Sequence, residues 1–525
     1  MKRYEIAIVI ILNVTIALGF YVTNTNAKIQ DISSDLANII PVCKKIDNPS
    51  LYKNDLYLNT VENVRYYTPF YVQPLRYIAT FTNYDYLKAL NFLGFVTHVF
   101  YGLFWFFLCY TIKKDYWIAL IFSVFVRGVL WPPGGELLGI SDLWTIMPRT
   151  LYTALMPLPF LIFVYSKKYR VLLSSLVLGF IFNFHPISGV GGILIYFLIY
   201  TSFLIMQQST FLVILKKTLW FLFFCTLGML PFLLIYTSNV SSEVTLDKNL
   251  LNTALHSRIS DIFFDPILFI KSWNRPVTYI FGILFLSFYF FDTSNKKQAF
   301  KLLSIGAIGV FMAANLSVYV EIVINTFFNK NMLLSFQLIR FQKFILVLFQ
   351  IGIYLLGVAL FDFFKIQKPV KIMFFLMFMG LLAISNNQNF NTIPLLGDDV
   401  SRSILPRNLQ YYKSKPQDYS YSHMVAYVEN NTPIDAVFFG YNSFLIRAGA
   451  SRAVVFDNKG ASMLIEGNQK QFLNWHFNYQ KLKTLNEQQT LYFLKSKKVD
   501  YYISNTPIKN LILEKKINNV YIYKL

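Results

Sequence analysis

The ten residues Asn183–Gly192, NFHPISGVGG, interrupt two apolar runs, SSLVLGFIF (174–182) and ILIYFLIYTSFLI (193–205). Merging the two runs into one helix would invert the orientation of every segment downstream, so this break decides the fold. Pro186 suits the first turn of a new helix, where the missing amide hydrogen costs nothing. Gly189, Gly191 and Gly192 then permit close packing of the hairpin they open. The stretch therefore predicts a tight turn between two membrane helices, with His185 either capping the turn or facing a site at the membrane surface.

Outward from that hairpin, the same grammar repeats. The chain has 525 residues, 55% hydrophobic and 14% charged. Apolar runs of roughly 17–25 residues recur along it, each long enough to cross a hydrocarbon core. The net charge of +21 does not point to nucleic acid, because the basic residues fall in short clusters between apolar runs. These are Lys2-Arg3, Lys113-Lys114, Lys167-Lys168 with Arg170, Lys216-Lys217, Lys296-Lys297, and Lys365, Lys368 and Lys371. That spacing is the pattern of cytoplasmic loops, with attraction to anionic membrane lipids as a secondary effect. Of three cysteines, Cys109 and Cys225 fall in apolar runs and only Cys43 in a polar segment, so no disulfide framework is implied.

The fold class expected is a polytopic α-helical membrane protein with about eleven transmembrane helices, its N-terminus cytoplasmic. The predicted helices run from about 5 to 23, 86 to 112, 116 to 131, 145 to 166, 171 to 184, 188 to 206, 218 to 237, 276 to 292, 302 to 326, 342 to 364 and 371 to 385. Residues 1–385 form the membrane domain, with 24–85 as a long first outer segment. Residues 386–525 are polar and alternate β-like runs (AVFFGY, ASRAVVFD, VDYYIS, NVYIYKL) with helical patterns, which predicts an extracytoplasmic α/β domain.

Chemistry is expected on the outer side. The first outer segment carries Asp31, Asp35 and Asp55, each a candidate general base or a ligand for a divalent cation that neutralises a phosphate leaving group. Asp31 and Asp35, four apart, share a face if helical. Asp55, in NPSLYKNDLYL, stands where a turn enters an interfacial helix. In the next outer loop Glu136 follows Pro132-Pro133-Gly134-Gly135, and Asp142 follows it. Arg127 and Arg149 lie within or at the entry of spans, where a charge is costly unless it works or snorkels. Arg340 arrives at the same level as His185 and Arg149, a grouping suited to a lipid-linked phosphate. No Walker A loop, dinucleotide fingerprint, zinc signature or nucleophile elbow occurs.

With NPSLYKNDLYL, MPRTLYTALMPL, NFHPISGVGG and YVENNTPIDAVFFGYNSFLIRAGASRAVVFDNK in view, the chain resembles the GT-C class of integral-membrane glycosyltransferases. More narrowly it resembles bacterial GT-C-like proteins with a C-terminal extracytoplasmic domain. The resemblance implies transfer of a sugar from a polyprenyl-phosphate donor to a glycan, lipid or protein acceptor at the outer face of the bacterial cytoplasmic membrane. It also implies that a first-segment carboxylate deprotonates the acceptor. No adjacent acidic pair follows helix 1, so Asp31, Asp35 and Asp55 stay open as the base, with Glu136 assisting. Asp142, His185, Arg149 and Arg340 are the expected substrate-binding residues. Transport of a lipid-linked solute, or non-catalytic assembly of surface polysaccharide, is the alternative.

Overall fold

The computed structural model describes residues 1–24, 29, 32, 35–126, 146–237, 247–274, 276–328, 332–384, 420–509 and 511–525. The chain divides into two compact units. The first comprises Met1–Asn24, Asn91–Leu233 and Asp261–Ser414; the second comprises Thr25–Leu90, Leu234–Ser260 and Lys415–Leu525.

The first unit is helical. Among the described residues, six helices are long and apolar enough to cross a membrane: Arg3–Val22, Tyr86–Ile112, Pro186–Met206, Phe211–Tyr236, Asn295–Phe327 and Ser335–Phe363. Tyr116–Phe125, Arg170–Phe182 and Thr278–Phe291 are shorter apolar helices. Each predicted apolar run is helical where it is described, but two boundaries differ. The helix expected from 218 begins at Phe211, so Lys216 and Lys217 ride exposed within it rather than before it. The run expected from 145 to 166 is two helices, Pro148–Leu155 and Leu158–Tyr165.

Proline explains the second difference. Pro157 has no N–H to offer the Thr153 carbonyl, and that carbonyl instead accepts from Trp105 Nε1 at 3.1 Å. Pro231 leaves a similar gap inside Phe211–Thr237. There the Asn183 side-chain amide donates to the Gly228 carbonyl at 2.9 Å and accepts from the Phe232 N–H at 3.0 Å. Gly228 and Phe232 are the pair that would bond each other in an unbroken helix. In hydrocarbon an orphaned backbone group costs several kcal/mol, so such breaks persist only where a neighbour completes them. Asn183 reaches the gap because Arg170–Phe182 lies against Phe211–Thr237 at glycines: a Cβ on Gly179 would fall 2.0 Å from the Cys225 carbonyl oxygen, and one on Gly228 2.2 Å from that of Leu176.

Three basic clusters meet at one end of this unit. The Tyr116 hydroxyl donates to the Glu5 carbonyl at 2.9 Å, beside Lys2-Arg3. Tyr354 donates to the Lys113 carbonyl at 2.9 Å, and Lys371 pairs with Asp115. Agreement of these three clusters is what a common membrane side requires.

The second unit is built on a five-stranded sheet: β1 (Val437–Gly440), β2 (Ala453–Val454), β3 (Tyr501–Ser504), β4 (Ile512–Ile517) and β5 (Val520–Lys524). Its order is β2-β1-β3-β5-β4, with β1 parallel to β2 and β3, and β5 antiparallel to β3 and β4. The exposed edge strand β4 carries Glu514, Lys515 and Lys516, charges that discourage further pairing. The sheet does not stand alone. Leu56, in the polar segment after the first helix, packs on the core of Val437, Val455, Phe493 and Leu494. Lys44 Nζ donates to the Gly449 carbonyl at 3.1 Å, binding the Leu36–Asp47 helix to Phe444–Ala450. The Lys248–Arg258 helix joins through Ser257 Oγ, 2.9 Å from His476 Nδ1. The described part of the α/β region expected over 386–525 thus belongs to a unit drawn from three stretches of chain.

Candidate functional site

The polar segment after the first helix contributes two described candidate carboxylates, and their surroundings differ. Residues 51–60 run as successive turns, not as an interfacial helix. They deliver Asp55 into the interior, where its side chain and that of Arg447 are both 0% exposed. Asp55 Oδ1 accepts from the Tyr57 and Leu58 amides at 2.8 and 3.0 Å. Its Oδ2 accepts from Arg447 Nε at 2.9 Å and the Val454 amide at 2.8 Å. A general base needs an oxygen within reach of a substrate proton; both oxygens of Asp55 are occupied. Arg447 also pairs with Asp457 and lies over the Tyr57 ring at 4.7 Å. This cluster fastens residues 51–60 to β2.

Asp35 sits just before the Leu36–Asp47 helix, with no side-chain hydrogen bond to that helix's amides. Its side chain is 34% exposed, and Oδ1 lies 3.1 Å from Lys459 Nζ. Lys459 in turn lines a cavity of about 630 Å³. The cavity opens where β1 and β2 end, among Gly440, Asn442, Ser443 and Phe444 after β1, Phe456, Asp457 and Asn458 after β2, and Tyr502 of β3. Gly440 has φ +118°, and a Cβ there would fall 2.1 Å from the Ile503 carbonyl oxygen, so only glycine fits where the end of β1 runs against β3.

Arg258 closes one wall of this cavity. Its Nε is shut off from solvent and has no hydrogen-bond partner among the described residues. Asp457 and Asp35 attract it at longer range, but they pair with Arg447 and Lys459 respectively. Burial lowers its pKa from the ordinary arginine value. Sequence reading passed over Arg258, although a signal was there: it falls on the same helical face as buried Leu251, Ala254 and Leu255.

In the first unit, His185 caps the Pro186–Met206 helix. Its Nδ1 accepts from the Ser188 amide at 3.2 Å and lies 2.8 Å from Ser188 Oγ. Arg149 stands in the first turn of Pro148–Leu155. Arg340 stacks on Phe263 at 4.2 Å and donates to Gln337 Oε1 at 3.1 Å. The elements bearing these three residues meet at the hairpin glycines: a Cβ on Gly192 would fall 1.9 Å from the Tyr152 hydroxyl, and one on Gly191 2.6 Å from the Phe344 ring. This unit also contains an apolar cavity of about 450 Å³, with Trp105, Met156, Phe160, Leu178, Ile195 and Leu348 among its walls.

Asp31, Arg127, Glu136 and Asp142 lie outside the described residues. Among the described residues no three of His, Cys, Asp and Glu converge as a metal-binding set. The candidate site is therefore the polar cavity of the second unit with Asp35 at its edge. No protein-family model and no curated protein sequence matches the chain.

Proposed function

We propose that the protein is a GT-C-type membrane glycosyltransferase in a bacterial cytoplasmic membrane, with about eleven spans, a cytoplasmic N-terminus and an extracytoplasmic second unit. It moves a sugar from a polyprenyl-phosphate donor to a cell-surface glycan, lipid or protein. The observation that carries this reading is Asp35: a partly exposed carboxylate of the first outer segment, ion-paired to a lysine that lines a polar cavity. In the reaction Asp35 takes the proton of the acceptor hydroxyl as that oxygen bonds to the anomeric carbon. The bond from that carbon to the prenyl phosphate breaks, and the phosphate leaves with the electron pair. The apolar cavity among the membrane-length helices supports a substrate with a hydrocarbon tail.

The test follows label from polyprenyl-phosphate sugars into lipid- or polymer-linked product in membranes holding wild type or Asp35→Asn at matched, folded levels. Loss of a general base costs about 10²–10⁴-fold, so Asp35→Asn should abolish measurable transfer. Undiminished transfer by Asp35→Asn would remove Asp35 from the chemistry. No transfer by folded wild type from any such donor would favour a transporter or an assembly protein for lipid-linked polysaccharide, which the same apolar cavity would also serve.

A further inference from the structure

We propose that the cavity at the ends of β1 and β2 binds a sugar bearing an oxyanion, a phosphate or a carboxylate, with Arg258 as its anionic-group partner. Three observations converge on it. The first is topological. Chain order runs from β1 to β2 on one side, then returns to β3 on the other side of β1. The carboxyl ends of parallel strands diverge at such a reversal, and open α/β sheets take their ligands there. The cavity lies at that place, touching Gly440 of β1 and Tyr502 of β3.

The second is the cation. A guanidinium carries five N–H donors in a planar fork matched to carboxylate and phosphate. The neighbouring acids of Arg258 pair with other cations, and its Nε is desolvated without a partner among the described residues. A charge so placed is costly unless something completes it. An oxyanion in the cavity answers its donors bidentately.

The third is the remaining wall. Asn442, Ser443 and Asn458 offer amide and hydroxyl groups, while Phe444 and Tyr502 offer aromatic surface. Hydroxyls on one edge of a ring and C–H groups on its face call for that mixture; an inorganic anion has no use for the aromatic part. Binding stands apart from transfer. Only the further step, that the bound sugar is the acceptor beside Asp35, rests on the glycosyltransferase reading.

The experiment titrates the full-length protein in nanodiscs with glucose 1-phosphate, glucuronate, glucose and inorganic phosphate, followed by calorimetry or saturation-transfer NMR. The anionic sugars should bind at least about tenfold more tightly than glucose or phosphate, and the tighter of the two names the anion. Arg258→Gln should lose that margin and leave glucose unaffected. Phe444→Ala should weaken every sugar and spare phosphate. Asn458→Trp, at an exposed rim position, leaves the interior intact and should block all binding. The proposal is overturned if folded wild type binds no anionic sugar, if phosphate alone binds as well as glucose 1-phosphate, or if Asn458→Trp and Arg258→Gln bind like wild type. None of these outcomes depends on whether the protein transfers sugar.

Discussion

Two arginines of the second unit show how burial separates structure from function at a single residue. Arg447 has Asp55, Asp457 and the Val454 carbonyl around its fork, so its charge is answered within the fold. Arg258 has no hydrogen-bond partner for its Nε among the described residues. In sequence, Asp35 stands four residues from Asp31 and Asp55 stands at a turn of the same polar segment, and both are candidate bases. What distinguishes them is Arg447, 392 residues from Asp55 along the chain, a separation that local pattern does not register. His476 offers a titration at this scale. It is buried against Ser257, and burial, with Lys483 second, lowers its pKa from the ordinary 6.5. The folded state thus holds that proton less readily than the unfolded chain does. Its contribution is complete above 6.5 and is lost as pH falls below 6.5 and through the lowered value. The thermal midpoint of the wild type should therefore fall on acidification across this window, and that of His476→Gln should fall less. Equal slopes for the two proteins would show that the imidazole is not the titrating group.

Helices of the first unit were legible as apolar runs; their interruptions were not. Pro157 and Pro231 announce breaks, but nothing local says that Trp105 and Asn183 mend them. By sequence Asn183 only opens a polar turn. Its amide instead fills the gap in a helix more than forty residues on, and the turn's glycines are spent on the packing that brings elements together. His185 divides the expectation differently, since its Nδ1 caps the next helix, as the plainer reading of the turn held. Replacing Asn183 by leucine, similar in size, removes a donor and an acceptor at once. Leaving those backbone groups unpaired should cost about 1–3 kcal/mol, read as a lowered unfolding midpoint in detergent, whereas Asn183→Gln should lose part of that. A leucine variant as stable as wild type would mean that the Pro231 break needs no mending.

At the scale of the molecule, the alternation of strands and helices after residue 420 was readable, and so was the membrane-length character of what precedes it. The composite nature of the second unit was not, because a domain assembled from three distant stretches leaves no continuous signature in composition. It carries a direct prediction. Deleting residues 415–525 removes the partners of Lys44, Tyr52, Asp55 and Tyr57. Limited proteolysis should then cut between residues 35 and 80, a region that the intact protein protects. Protection that survives the deletion would mean that residues 35–80 fold unaided. The pairing of Asp55 with Arg447 also sets a clock. At synthesis rates of ~5–20 residues per second, the 392 residues between them take roughly 20–80 s to make. For that interval the segment around Asp55 has left the ribosome with a buried-type carboxylate, two core tyrosines and an apolar helix face, and no arginine to receive them. Arg447 is translated long after the segment it completes, so a nascent chain stalled between the two presents the cell's quality-control proteases with an open segment, while a chain extended past Arg447 and folded does not.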